Sequence, residues 1–297
     1  MTATRVPAET GGTSAPVFVD VRGRRIRVVR SGDPAQPPVL LLHGIGRSLE
    51  DWAPQHERLA DAHHVISVDM PGFGLSERMP EPVTLRSLAE GVLATLDALG
   101  EQRPVNIMGN SLGGAVALQI LALAPDRVAG LALVNSAGFG KEVTIALRLL
   151  AIPGVGRRLL KSTDRKAARR TERALFFDGS FVTEERIEHA LRMAEQPDHA
   201  EVFLEAAREL GTFRGVRARW RSALLAEVAR HPKPTLLLWG DRDLILPAHH
   251  MSTARAMLPH AQSHVFADTG HMPQIERADD VAGLLRRFLA AQEGQNT

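Results

Sequence analysis

Apolar runs and amphipathic runs alternate along the chain. The apolar runs are short, as in strands that a parallel sheet buries on both faces. They occupy residues 38–42, 64–69, 104–108, 128–134, 234–239 and 263–266. Between them lie stretches whose apolar residues recur at helical spacing, namely residues 49–62, 84–99, 115–123 and 274–290. This order predicts a largely parallel sheet with helices on both faces.

The start of the chain follows a different pattern. Apolar and polar side chains alternate over residues 17–21 and 25–29, on either side of Arg22-Gly23-Arg24. This pattern predicts an antiparallel hairpin with one solvent-exposed face. With this hairpin, the predicted fold class is α/β, with a mostly parallel sheet of eight strands. Residues 1–15 are small and polar, and we expect a disordered or weakly ordered tail there.

Residues 138–232 interrupt the alternation of strands and helices. We predict no strand in this interval. Its amphipathic, arginine-rich helical stretches are residues 143–150, 184–194 and 201–210. We interpret the interval as a helical cap inserted between two parts of the core, residues 16–137 and 233–297. We expect it to lie over the carboxyl edge of the sheet, where open α/β folds bind ligands.

Composition excludes several classes of protein. With 44% hydrophobic residues, 24% charged residues and a formal net charge of +2, the 297-residue chain has an ordinary globular balance. It has no dense basic stripe for nucleic acid, no cysteine for thiolate chemistry and no tyrosine. No run resembles a secretory signal or could cross a bilayer, so we expect a cytoplasmic monomer or homodimer.

A basic run over residues 157–173 has two interpretations. It attracts an anionic substrate or a membrane surface, or it is the solvated face of a helix. Aspartate and glutamate are interspersed nearby, which favours the solvated face.

One serine has the surroundings of a nucleophile. In Gly109-Asn110-Ser111-Leu112-Gly113-Gly114, Ser111 stands between a predicted strand and a predicted helix, with glycine two residues away on each side. This pattern is the nucleophile elbow, a turn so sharp that side chains at the glycine positions would collide with the strand and the helix. The free N–H groups at the helix start favour negative charge beside Ser111, as acyl transfer requires.

A serine hydroxyl needs a base, and the base needs a carboxylate to orient it. His271 is the candidate base, because it follows the last predicted strand on a loop that returns to the carboxyl edge. The histidines set aside, in helix-like or strand positions, are His249, His250, His260 and His264. For the acid, Asp243 lies far enough past the preceding glycine to point back toward His271. Asp241 is placed instead to brace the turn or to pair with Arg242.

The oxyanion of acyl transfer needs two N–H donors, each with an effect of about 3 kcal/mol. We expect one from Leu112, directly after the nucleophile. The other is expected from the loop after residues 38–42, where Ile45 is the first choice and Gly44 the second. We expect a structural role for His43, with its ring bonded to the loop backbone.

These patterns together resemble the α/β-hydrolase superfamily. The matching residues, in chain order, are His43-Gly44-x-Gly46, Asp69-x-Pro71-Gly72-x-Gly74-x-Ser76, Gly109-x-Ser111-x-Gly113-Gly114, Gly240-x-x-Asp243 and Gly270-His271. The resemblance covers residues 17–289 and is nearest to the serine-nucleophile branch, with its carboxylesterases, lactonases, cofactor-free haloperoxidases and meta-cleavage product hydrolases. It implies a triad of Ser111, His271 and Asp243 and no cofactor.

Differences from other branches of the superfamily reduce the number of candidate activities. Epoxide hydrolases and haloalkane dehalogenases have an aspartate where this chain has Ser111. Meta-cleavage product hydrolases share the Asn-Ser-x-Gly-Gly elbow, but typically have a Gly-Gly-Gly-Pro-Gly loop and a tryptophan after the histidine, where this chain has residues 44–48 and Met272. We predict hydrolysis of a small-molecule carboxylic ester with an apolar part. The alternatives are cleavage of a carbon–carbon bond or a lactone by the same triad, and a hydrolase-fold binding protein without activity.

The substrate pocket is predicted from residues near these groups. The candidates are Gly44, Asn110, Phe176, Phe177, Leu244 and Met272. For each phenylalanine the alternative is packing between cap helices. No metal site is predicted, because the adjacent His249 and His250 lack the spacing that puts two ligands on one helical face.

Overall fold

An eight-stranded sheet forms the centre of the fold. The structure, a computed structural model, describes residues 15–160 and 164–294, so the tail predicted at residues 1–15 lies outside the described residues apart from Ala15. The described strands are β1 (Val17–Val21), β2 (Arg24–Ser31), β3 (Pro38–Leu42), β4 (His64–Val68), β5 (Val105–Asn110), β6 (Val128–Val134), β7 (Gly211–Thr212), β8 (Gly215–Val216), β9 (Thr235–Gly240) and β10 (Gln262–Phe266).

The sheet has the order β1-β2-β4-β3-β5-β6-β9-β10. β2 pairs antiparallel with β1 and β4, and all other neighbours pair in parallel. The prediction of an α/β fold with a mostly parallel eight-stranded sheet is confirmed. Because β3, β5, β6 and β9 run in one direction, the residues that follow them meet at one edge.

Helices cover the sheet and fill the interval between β6 and β9. The described helices are α1 (Ala53–Leu59), α2 (Leu85–Ala98), α3 (Leu112–Leu123), α4 (Ile145–Leu150), α5 (Val155–Leu160), α6 (Arg165–Leu175), α7 (Glu184–Ala194), α8 (His199–Leu210), α9 (Ala218–Val228), α10 (His250–Met257), α11 (Pro273–Glu276) and α12 (Ala278–Glu293). None of them is long and apolar enough to cross a bilayer.

Apolar side chains are packed on both faces of the sheet. Within β3, Leu40 and Leu42 belong to a cluster with α2 and α3, whereas Val39 and Leu41 belong to a second cluster with α12. Successive side chains of a strand point to opposite faces. A strand that is covered on both faces therefore has a continuous apolar run in its sequence. This is why the run at residues 38–42 predicts a buried strand.

Residues 138–232, here called the insertion, carry α4 to α9 and pack on the loop after β3. The structure differs from the expectation of no strand in this interval, because β7 and β8 form a two-residue antiparallel pair. Arg47 binds Asp51 through two nitrogens at 2.7 and 2.8 Å and also pairs with Glu172 of α6. Arg186 of α7 reaches Asp51 at 2.8 Å and Glu172 at 3.0 Å. Both carboxylates are buried, so four alternating charges join the insertion to the core.

Candidate active site

Ser111 occupies the turn between β5 and α3 with φ 55° and ψ −115°. Two residues away on either side, at positions 109 and 113, only glycine fits. A Cβ on Gly109 would lie 2.4 Å from the carbonyl carbon of Gly113, and a Cβ on Gly113 would lie 2.2 Å from the Leu42 carbonyl oxygen. Hydrogen bonds to Val134 and Ala137 on β6 and the loop after it hold the turn, both at 3.0 Å. The Ser111 hydroxyl forms no hydrogen bond with any described residue.

Asp243 and His271 form a buried hydrogen bond at the carboxyl edge of the sheet. The distance from His271 Nδ1 to Asp243 Oδ2 is 2.8 Å. The other carboxylate oxygen accepts the N–H groups of Ile245 at 2.7 Å and Leu246 at 3.0 Å. These bonds fix the carboxylate and the ring, and they leave Nε2 as the imidazole nitrogen for proton transfer.

Asn135 is a site residue that the sequence analysis missed. It directly follows β6, has a φ of 44° and donates from Nδ2 to Asp243 Oδ2 at 2.6 Å. Its Oδ1 accepts the N–H of Gly240 at 3.3 Å. The signal was a polar residue at the carboxyl end of a buried strand. Asp241 has a different place, since it accepts the N–H of Thr269 at 3.3 Å and pairs with Arg242.

Asn110 joins the elbow to the loop that carries His271. Its Nδ2 donates to the carbonyl oxygens of His271 at 3.0 Å and Val134 at 3.2 Å, and the side chain is fully buried. The residue before Ser111 therefore holds the backbone of His271 beside the elbow.

The loop after β3 is held by His43. Met70 donates its N–H to His43 Nε2 at 3.0 Å, so the ring proton is on Nδ1, which lies 2.7 Å from the Gly44 carbonyl oxygen. Burial lowers the pKa of His43 below its ordinary value, and the ring is neutral. In the described part of the chain, the N–H groups of Ile45 and Leu112 have no hydrogen-bond acceptor.

An apolar cavity opens beside Ser111. It lies between the elbow, the loop after β3 and the insertion, and residues lining it include Ile45, Leu112, Val143, Leu147, Ala207 and Trp220. Arg148 is the one charged residue among the described residues that line it, and its Nε donates to the Phe213 carbonyl oxygen at 2.7 Å. The cavity therefore suits the apolar part of a substrate.

The six residues predicted for the pocket lie elsewhere, and their role in binding stays a prediction. Phe176 and Met272 are buried in a separate apolar cluster, with the Phe176 ring 5.7 Å from that of Phe181. Phe177 and Leu244 are exposed. Gly44 packs against Asn110 and the Cβ of Ser111, outside the residues that line the cavity.

A second polar group lies where the insertion begins. Glu142 Oε2 is 3.0 Å from His250 Nε2 and 3.5 Å from His249 Nε2. The three residues each offer a possible ligand atom within 4.8 Å of the others. Glu142 comes from the insertion, so the spacing of the two histidines in the sequence does not reveal this group. The absence of a metal site stays a prediction.

The fold and the elbow define a class of enzyme, the hydrolases of the α/β type. A sequence model described as the α/β-hydrolase fold matches residues 37–278. The chain belongs to the α/β-hydrolase family, in its serine-type branch.

Relatives with different activities share this family. The chain is 33% identical, over 97% of its length and 73% of the relative, to the dihydrolipoyllysine-residue acetyltransferase component of the acetoin cleaving system of Cupriavidus necator. It is 32% identical, over 85% of its length and 87% of the relative, to a 2-hydroxymuconate semialdehyde hydrolase of Pseudomonas sp. strain CF600. A crystal structure of a bacterial membrane phospholipase A is similar, with a TM-score of 0.76, 25% identity and coverage of 95% of this chain and 87% of that one.

Proposed function

We propose that the protein is a cofactor-independent serine hydrolase that cleaves carboxylic esters with an apolar part. The observation that carries this proposal is the buried bond between His271 and Asp243 at 2.8 Å, on a loop that Asn110 ties to the elbow of Ser111. In this proposal the insertion is the cap, since its side chains line one side of the cavity.

The proposed reaction has two stages. Ser111 attacks the ester carbonyl carbon while His271 Nε2 takes the hydroxyl proton, and Asp243 stabilises the imidazolium. The N–H groups of Ile45 and Leu112 stabilise the oxyanion. His271 returns its proton to the leaving alcohol, and a water activated by the same ring then releases the acid from Ser111.

Replacement of the serine tests the proposal. We expect Ser111→Ala to lower kcat for p-nitrophenyl butyrate roughly 10⁴-fold or more, because no other described group replaces the nucleophile. Ser252→Ala, an exposed serine on α10, is the matched control and should keep full activity. Retained turnover in Ser111→Ala would refute the assignment.

Hydrolysis of a carbon–carbon bond is the second candidate, and the semialdehyde hydrolase relative favours it. Such a dienoate substrate carries a carboxylate, whereas Arg148 is the one charged side chain that the described residues place at the cavity, and it is already bonded to the Phe213 carbonyl. We therefore expect kcat/KM for a p-nitrophenyl ester to exceed that for a 2-hydroxy-6-oxo-dienoate. The opposite ranking would assign carbon–carbon cleavage to the same residues.

A further inference from the structure

The outer surface of the insertion is unusually apolar at α4, α5 and the β7–β8 turn. We define the apolar patch as Ile145, Leu149, Val155, Leu159 and Phe213, with exposed fractions of 68%, 38%, 39%, 49% and 56%. Ten large apolar side chains are exposed in the described part of the chain, and these are five of them. Clustered apolar exposure of this kind marks an interaction surface, whereas single exposed apolar residues are ordinary.

The two helices repeat one arrangement. Each has two exposed apolar residues four positions apart and an arginine three positions after the first, Arg148 in α4 and Arg158 in α5. Their inner faces are packed, because Leu150 joins a cluster with Leu204 of α8 and Gly156 lies against the same leucine. The outer faces are thus fixed in position and open to a partner.

The charges within α4 and α5 have one sign. Residues 143–160 contain three arginines and no aspartate or glutamate. Arg157 and Arg158 are exposed and form no ion pair with any described residue. The acidic residues that favoured a solvated face begin at Asp164, directly before α6. Unpaired guanidiniums beside exposed leucines complement a bilayer with anionic lipids, where the apolar side chains insert and the arginines meet phosphates.

The same elements lead from this surface to the candidate site. Val143 and Leu147, on and just before α4, line the cavity beside Ser111. Arg148 lines the cavity too and holds the backbone of Phe213, a member of the apolar patch. One side of α4 therefore faces the cavity and the other side belongs to the apolar patch.

We propose that the apolar patch docks the protein on an anionic bilayer and that the substrate is an ester lipid that leaves the bilayer past α4. The substrate part of this inference rests on the proposed function, but the docking part does not. The occupant is a lipid surface because exposed apolar side chains beside the arginines of α4 and α5 fit acyl chains under anionic headgroups.

Vesicle co-sedimentation tests the docking. We expect the protein to bind vesicles of phosphatidylcholine mixed with phosphatidylglycerol, and to bind pure phosphatidylcholine far more weakly. Replacing Arg157 and Arg158 by Gln should weaken binding about 25-fold, or about fivefold for each arginine near an anionic surface. The double variant Ile145→Ser with Leu159→Ser should weaken it roughly tenfold or more.

Matched controls remove side chains of the same kinds outside the apolar patch. Arg219→Gln with Arg287→Gln removes two exposed arginines, and Met257→Ser with Val265→Ser removes two exposed apolar residues. Both controls should bind vesicles like the wild type. All variants should hydrolyse soluble p-nitrophenyl acetate at the wild-type rate, which shows that they are folded.

The outcomes separate docking from catalysis. Failure of the wild type to bind anionic vesicles, with soluble ester turnover intact, overturns the docking and leaves the proposed function standing. Vesicle binding without any ester turnover supports the docking and refutes the proposed function. A wild-type dimer that the patch variants convert to a monomer in sedimentation velocity, without vesicle binding, identifies a self-association surface and overturns the proposal.

Discussion

Ser111 has a backbone conformation that costs about 1 to 3 kcal/mol for a residue with a side chain. Its N–H donates to the Val134 carbonyl, and its own carbonyl accepts the N–H of Ala137, so the neighbouring strand holds the strained turn in place. The hydroxyl is left free of hydrogen bonds to described residues, next to an apolar cavity. This is the arrangement that a nucleophile at an elbow requires.

Asn135 should affect ester turnover through its contact with Asp243. Asn135→Ala removes the 2.6 Å bond to Asp243, and we expect kcat for the ester to fall roughly 10- to 100-fold with little change in KM, the effect of losing one hydrogen bond to a charged group. The measurement is steady-state kinetics on p-nitrophenyl butyrate. The control is Asn106→Ala, a buried asparagine near the start of β5, at the other end of this strand from Ser111. Equal losses in the two variants would contradict a positioning role for Asn135.

Short motifs predict the candidate catalytic groups but not the residues that hold them in place. Ser111, Asp243 and His271 each stand in a short pattern whose residue types have a chemical reason. Asn135 stands in no such pattern, and its contact with Asp243 arises only because β6 lies between β5 and β9 in the sheet. The order of strands is a property of the whole chain, and a local pattern does not contain it.

At the scale of single elements, β3 and α3 approach each other as closely as glycine allows. Gly113→Ala would place a methyl group 2.2 Å from the Leu42 carbonyl oxygen, and we expect it to lower the free energy of unfolding by about 1 to 3 kcal/mol. Gly283→Ala in α12 meets only the end of the Arg287 side chain, at 3.5 Å, and should raise it by up to about 1 kcal/mol. Urea unfolding measures both changes. Equal stability of the two variants would contradict this packing.

α1 contains a histidine that makes stability depend on pH. His56 is bonded to Ser31 and Ser67 at 2.7 Å each, and burial lowers the pKa of its ring from 6.5 to about 4. The unfolded chain takes up a proton at higher pH than the folded one, so this contribution to stability is complete above pH 6.5 and is lost as the pH falls toward 4. Between pH 7 and pH 5 the loss is about 2 kcal/mol.

Urea unfolding at pH 7 and pH 5 checks this dependence. The free energy of unfolding should fall less in His56→Gln than in the wild type over this interval, whereas His260→Gln, an exposed histidine, should follow the wild type. An unchanged slope in His56→Gln would show that folding does not lower the pKa of the ring.

The pattern of apolar residues predicts the elements well where one physical cause dominates. The apolar spacing at residues 84–99 predicts α2, and Thr84 caps it, since its side chain accepts the N–H of Ser87 at 3.0 Å. The pattern at residues 274–290 predicts one helix, but the structure has α11 and α12, because Arg277 leaves the helical conformation with φ −127° and ψ 43°. Helical spacing continues across such a break, so periodicity does not reveal it.

We expect the buried charges between the core and the insertion to stabilise the folded protein. Burial alone would raise the pKa of the Asp51 carboxyl, but the guanidiniums of Arg47 and Arg186 hold it below its ordinary value. Glu172→Gln removes one anion from this group and should lower the free energy of unfolding by roughly 3 kcal/mol. Ester turnover should also fall, since Arg47 follows Ile45 by two residues.

Glu184→Gln is the matched control for this prediction. Glu184 pairs with Arg165 and Arg169 on the exposed surface of the insertion, and its replacement should change little because water screens the pair. Thermal unfolding and ester kinetics compare the two variants. A Glu172→Gln protein as stable as Glu184→Gln would contradict the role of the buried charges.

The insertion shows why the residues that line the cavity are hard to predict from the sequence. Amphipathic spacing gives the apolar face of a helix but not the neighbour that this face meets. Phe176 packs against Met272 in a separate cluster, whereas Val143, Leu147 and Trp220 line the cavity. Contacts between two parts of the chain set these positions, and no short stretch of sequence contains them.

Covalent labelling shows whether Ser111 is an activated nucleophile. A fluorophosphonate probe reacts with a serine hydroxyl that a neighbouring base activates. Peptide mass spectrometry of the labelled protein should place one adduct on Ser111, and labelling should be lost in Ser111→Ala and strongly slowed in His271→Ala. An unlabelled wild-type protein, or an adduct on another residue, would contradict the assignment of Ser111 as the nucleophile.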